Sequence, residues 1–150
     1  METEQQEEKK AKKPKKEKII ATVGKRKRAV ARATIRQGKG FVQVNNRPLD
    51  SYEPRYVRMR IQEPLIIAGA LAENADISVN VSGGGIWGQA DAARTAIANA
   101  LVQWSGGKKL QQLYHEYDRS LLVSDPRRTE PHKPSRSTAG PRRKKQQSKR

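Results

Sequence analysis

The chain has no cysteine, one phenylalanine, two methionines, two tryptophans and two histidines in 150 residues. Without cysteine there are no disulfides and no thiolate metal sites, and redox compartment leaves no trace. His115 and His132 stand far apart in the sequence, so no metal centre and no other cofactor is expected. No serine sits in a GxSxG elbow, and no pair of carboxylates lies in an apolar setting. These absences argue against an enzyme. Long apolar runs are missing too. The longest, LIIAGALA at residues 65–72, is far short of the roughly twenty residues that a bilayer requires. The N-terminus carries charge but no apolar stretch, so no signal peptide is read there. The expected location is the cytoplasm, away from membranes.

Negative charge is also scarce. Thirty-two Lys and Arg face fifteen Asp and Glu, a formal charge of +17. Such a chain repels itself and calls for an anionic partner, nucleic acid first. The charge is unevenly spread. Residues 1–18 hold seven Lys, five Glu and almost nothing apolar, and read as a disordered extension. Residues 126–150 hold ten bases, one acid and four prolines, and read as an extended basic tail. Between them, residues 19–125 hold most of the apolar side chains and read as one folded domain. Its segment Leu65 to Trp104 has a single base, Arg94, against Glu73, Asp76 and Asp91.

Within that domain, the β-branched run at residues 19–23 predicts a strand. AVARATIR, residues 29–36, alternates small apolar groups with Arg32, Thr34 and Arg36, a half-buried strand. QGKG at 37–40 predicts a turn and FVQV at 41–44 a return strand, together a hairpin. NNRP at 45–48 reads as a loop. A helix is expected after Tyr56, broken or restarted at Pro64. ISVNV at 77–81 predicts a strand, and SGGG a turn. From Gln89 to Trp104, Ala93, Ala96, Ile97, Ala100, Leu101 and Trp104 form one helical face. Gly106-Gly107 ends it, and a short helix at 110–117 follows. This order predicts an α+β fold with helices on one face of a sheet. Trp87 and Trp104 are expected in the core.

Three constellations bear on chemistry. Lys25, Arg26, Lys27 and Arg28 are consecutive, at the point where the first strand is interrupted, and Arg32 and Arg36 continue on one strand face. So many cations suit phosphates. Arg55 and Arg58 lie among Tyr52, Tyr56 and Arg60. That group can stack on unpaired bases, or its tyrosines can pack in the core. The strand, SGGG loop and helix start at 78–94 could cradle a phosphate. No Lys follows the glycines and no acid sits in the loop, so a tight turn under Trp87 is the favoured reading. Asp91 suits a helix start, and Tyr117-Asp118-Arg119 reads as a polar anchor between helix and tail. Finally, the tail bases are Arg127, Arg128, Lys133, Arg136, Arg142, Arg143, Lys144, Lys145, Lys149 and Arg150. Pro, Ser and Gly space them, which suits threading between several phosphates.

VGKRKRAVARATIRQGKG, VNNRPLDSY, VSGGGIWGQADAARTAIANAL, YDRSLLVSDPRRTEPHKP and the terminal SKR, in this order, resemble the family of small-subunit ribosomal protein nine, in its archaeal and eukaryotic branch. The likeness covers about residues 18–150. It implies a small two-layer α+β domain like the second domain of small-subunit ribosomal protein five. It also implies a place in the head of the small subunit, among neighbouring head proteins. Ribosomal RNA would be bound by the bases at 25–28, Arg32, Arg36, Arg55, Arg58 and the tail from Arg127 to Lys145. Ser148, Lys149 and Arg150 would approach the peptidyl-site transfer RNA. The tail departs from its relatives, with KPSRSTAGP where a glycine-rich stretch is common and Lys149 in place of a tyrosine. That makes the terminal contact more electrostatic. Two other classes remain open from residues alone: a general polyanion binder, and a phosphate-binding enzyme built on the glycine loop.

Overall fold

The computed structural model describes residues 18–127. What the sequence predicts for residues 1–17 and 128–150 lies outside them. This includes the tail bases from Arg128 onward and the terminal Ser148, Lys149 and Arg150.

The fold is α+β. Five strands form one mixed sheet in the order β1-β2-β5-β3-β4. These are β1 Ile20–Arg26, β2 Ala29–Gln37, β3 Val42–Val44, β4 Arg47–Pro48 and β5 Ala75–Ser82. The helices are α1 Arg55–Ala68, α2 Ala70–Glu73, α3 Ile86–Ser105 and α4 Lys108–Tyr117. The alternation read in the sequence sets the two faces. Ala29, Ala31, Ala33 and Ile35 of β2 and Ala75, Ile77, Val79 and Val81 of β5 are buried beneath the helices. Arg32, Thr34 and Arg36 point to the exposed face.

α3 covers the sheet. Its buried face, Ala93, Ala96, Ile97, Ala100 and Leu101, is the one its periodicity predicts. Small side chains let it come close. A Cβ on Gly24 would lie 2.1 Å from the Ala92 carbonyl oxygen, so only glycine fits there. Beside it the Thr22 hydroxyl donates to the Ala96 carbonyl at 2.8 Å. On the far side of α3, α1 and α4 close the core. Buried Tyr114 of α4 donates its hydroxyl to the Pro64 carbonyl at 2.7 Å, and burial raises its pKa well above that of a free phenol.

Several expectations are corrected. β1 is not interrupted at Lys25. It runs on to Arg26 and turns at Lys27-Arg28 into β2, with Arg26 opposite Ala29. β3 does not form a hairpin with β2. β5 lies between them, antiparallel to β2 and parallel to β3. The Asp76 carboxylate holds the crossing by accepting from the amides of Lys39 and Phe41, at 2.9 and 3.0 Å. NNRP is not a plain loop. Asn45 and Asn46 both have positive φ, a conformation Asn tolerates, and they join β3 to β4 in a tight hairpin. Pro64 does not break α1. It costs one backbone hydrogen bond, and the helix instead ends at Gly69, where φ is 53°. α3 starts three residues before Gln89, so Asp91 lies beyond its first turn. Trp87 is not in the core but 61% exposed, whereas Trp104 packs against the core edge.

Candidate nucleic-acid interface

One end of the sheet gathers most of the described basic candidates. Three turns meet there: Lys27-Arg28, Asn45-Asn46 and the glycine loop after β5. Asn45 ties two of them, accepting from the Val81 amide at 2.7 Å and donating to the Val81 carbonyl at 3.2 Å. The glycine loop packs on the third. Gly83 and Gly84 have φ of 75° and 68°, and a Cβ on Gly83 would sit 2.6 Å from the Arg28 carbonyl oxygen. The tight turn therefore accounts for Gly83 and Gly84, although Trp87 does not cover them.

α1 and α3 run side by side in the same direction, since Arg60 reaches Asp91 and Glu63 reaches Arg94. Both N-termini thus sit at this end. Neither has a side-chain cap, and neither has an acid in its first turn. Their unpaired amides add positive potential to that of the bases. Lys25, Lys27, Arg28 and Arg55 are exposed here. Arg58 is half-buried and donates to the Asp50 carbonyl. Of the two tyrosines, Tyr52 packs against the core and Tyr56 is 72% exposed. Exposed Ile86 and Trp87 belong to the same end.

The remaining candidates spread across the open sheet face. Arg32 is central, opposite Val23 and Asn80. Arg36 lies at the other end, opposite Asp76. The hydrogen bonds from Phe41 and Lys39 hold the Asp76 carboxyl below the ordinary carboxylate range, with help from the charges of Arg36 and Lys39. Arg36 is therefore not part of the basic end, and a carboxylate offsets it.

Arg26 differs from its neighbours. It belongs to an alternating chain of charges, Asp118–Arg94–Glu63–Arg60–Asp91–Arg26–Asp125–Arg127. In that order the contacts measure 3.0, 2.6, 2.9, 3.2 and 3.5 Å up to Arg26. Arg26 then pairs with Asp125, which meets Arg127 at 3.0 Å. Arg94 is the most deeply buried member, its side chain 3% exposed. Its Nε lies against Glu63 but is not aligned for a hydrogen bond. Its other nitrogens donate to Ser120 and Asp118. Burial pushes the Asp118 carboxyl up, but hydrogen bonds from the Ser120 hydroxyl and amide and from Arg94 outweigh it, so its pKa is lowered. Around this chain opens a cleft of about 600 Å³ whose lining runs from Lys25 to Arg127. Asp118 is the anchor its sequence setting suggests, because it caps the last helical turn and holds Arg94.

The sequence reading missed this network. One signal was available: Arg94 is the single base in a forty-residue segment, and a lone charge in a core segment needs partners. Among the described residues, no group of three His, Asp or Glu is placed to hold a metal. No described helix is long and apolar enough to cross a membrane.

The family model described as ribosomal protein S9/S16 matches residues 24–150. The small ribosomal subunit protein uS9 of Methanococcus maripaludis strain C7 is 50% identical over 131 residues, which is 87% of this chain and 98% of that protein. Its counterpart in Methanococcus vannielii is 49% identical over the same span. The chain belongs to the ribosomal protein S9/S16 family.

Proposed function

We propose that this family member does what its relatives' names describe. It is a structural constituent of the small ribosomal subunit, in the cytoplasm, with ribosomal RNA and neighbouring ribosomal proteins as partners. Within that role it binds the RNA of the subunit head. Lys25, Lys27, Arg28 and Arg55 meet phosphates directly, and Arg32 extends the contact over the open sheet face. Arg58 supports the α1 start, while Arg26 and Arg36 contribute less because carboxylates accompany them. The tail, residues 126–150, continues the contact through Arg127, Arg128, Lys133, Arg136 and Arg142 to Lys145. Ser148, Lys149 and Arg150 reach the peptidyl-site transfer RNA. Contacts to phosphate read position and not base identity, which suits a site that accepts every transfer RNA.

The observation that carries this reading is the shared location of the basic turn, the two uncapped helix starts and the root of the tail. Residues far apart in sequence present one electropositive surface. An enzyme built on the glycine loop is disfavoured, because Gly83 and Gly84 pack on the Arg28 and Ala29 backbone and are accounted for by the tight turn.

Sedimentation of ribosomal subunits in high salt tests the reading. Full-length protein should stay with the small subunit, and protein lacking Pro126 to Arg150 should wash off in part. Full-length protein released to the top of the gradient would mean a loose polyanion binder.

A further inference from the structure

We infer that Asp125 is a positioning residue, which fixes where the basic tail leaves the domain by bridging Arg26 of the β1–β2 hairpin and Arg127. This rests on the proposed contact between tail and RNA. A carboxylate at the root of an RNA-binding tail opposes the overall charge and repels phosphate. Its geometry gives it another task. The Asp125 side chain is only 15% exposed, whereas that of Arg127 is 82% exposed. One oxygen accepts from the Arg127 amide at 2.8 Å, which closes a local turn. The other pairs with Arg26 and with the Arg127 guanidinium at 3.0 Å. Pro126, between them, restricts the backbone further. Arg26 is held in turn by Asp91 of α3, at 3.5 Å. The tail root is thus fixed to the hairpin and, through Arg26, to α3. The tail starts beside Lys25 and Arg26, in the hairpin that also carries Lys27 and Arg28, so hairpin and tail face RNA together.

Two accounts of Asp125 predict opposite signs. If it is only a charge, Asp125→Asn adds one positive unit and strengthens every RNA contact. If it positions the tail, the same change loosens placement although the protein is more basic. The substitution suits the question, since the Asn side-chain oxygen can still accept from the Arg127 amide.

The test uses full-length protein assembled into small subunits in cells. The chain has no cysteine, so Ser135→Cys gives a unique point for a tethered hydroxyl-radical source ten residues beyond the root. RNA cleavage is mapped with Asp125, Asp125→Asn and Asp125→Glu, and free-protein melting is recorded for each. Positioning predicts a sharp cleavage pattern with Asp125. Its strongest site should fall about two- to fivefold and spread with Asn, the population change that one partly shielded ion pair controls. Glu should restore it, and binding to unstructured RNA should be equal or tighter with Asn. An unchanged or sharper Asn pattern would overturn the positioning role alone. No subunit-RNA cleavage even with Asp125 in place would overturn the tail's RNA contact, and this inference with it.

Discussion

The two ends of the central sheet are built from the same chain, yet they differ in how their cations are balanced. At one end stand Lys25, Lys27, Arg28 and Arg55, with Glu53 beside Arg55 and the uncapped starts of α1 and α3. At the other, Arg36 and Lys39 come with Asp76 and Glu73 around the 38–41 crossing. Lys18 places its ammonium on the Trp104 carbonyl, at the C-terminus of α3, and 5.1 Å from the Trp104 ring centre. Cations there answer a carboxylate or a helix C-terminus. At the first end the exposed cations stand beside helix N-termini, a repulsive arrangement in isolation. The difference teaches that net charge alone does not locate an interface. On the proposed reading, what locates it is an excess of cations over nearby acids where the backbone is positive too.

The strongest way to break the comparison is to remove the core that both ends share. Leu101 is fully buried under the sheet. Leu101→Ala should cost about 2–5 kcal/mol, read by denaturant unfolding, and both ends should fail together. A loss well below this range would mean that the α3 register contributes little.

A sharper test changes one end only. Reversing both exposed tip charges, Lys27→Glu with Arg28→Glu, should leave melting nearly unchanged. The log–log salt dependence of RNA binding should drop by about two, one for each lost phosphate contact. That corresponds to roughly ten- to a hundredfold in affinity at moderate salt. The matching change at the other end, Arg36→Glu with Lys39→Glu, should weaken binding by less than about threefold, since Asp76 already offsets those charges. Equal losses at both ends would erase the distinction.

The smallest effect expected is acid sensitivity. Asp76 and Asp118 both have lowered pKa values in the folded protein. For a lowered carboxyl, the stabilisation is present above the unfolded value, near pH 4, and is lost as pH falls through the folded value. Melting temperature should therefore fall below about pH 4. Asp118→Asn should flatten part of that limb by removing a hydrogen-bonded charge beside Arg94. Asp76→Asn should flatten less of it, because Asp76 meets its partners near solvent.

Much of this was legible in the sequence where one period governs a long segment. Alternation placed β2 and β5, and the 3.6-residue period gave the buried face of α3. The hairpin expected between β2 and β3 failed for a physical reason. A Gly-Lys-Gly turn shows that the chain reverses, but not which neighbour the returning strand meets. β5, more than thirty residues later, takes that place. Pro64 looked like a break because local propensity ignores tertiary support, yet it is buried and its carbonyl serves Tyr114. Trp87, expected in the core, instead stands exposed at the start of α3. The basic residues were visible individually, but their convergence at one end depends on strand order and helix direction. The ion chain draws on β1, α1, α3 and the segment from Asp118 to Arg127, so no local window contains it.

The most direct measurement is lysine modification of the intact small subunit against the free protein, read residue by residue by mass spectrometry. If RNA lies on the basic end, Lys27 should react at least about tenfold more slowly in the subunit, while Lys39 changes little. Strong protection of Lys39 with Lys27 still reactive would contradict the account, because RNA or protein would then cover the opposite end of the sheet.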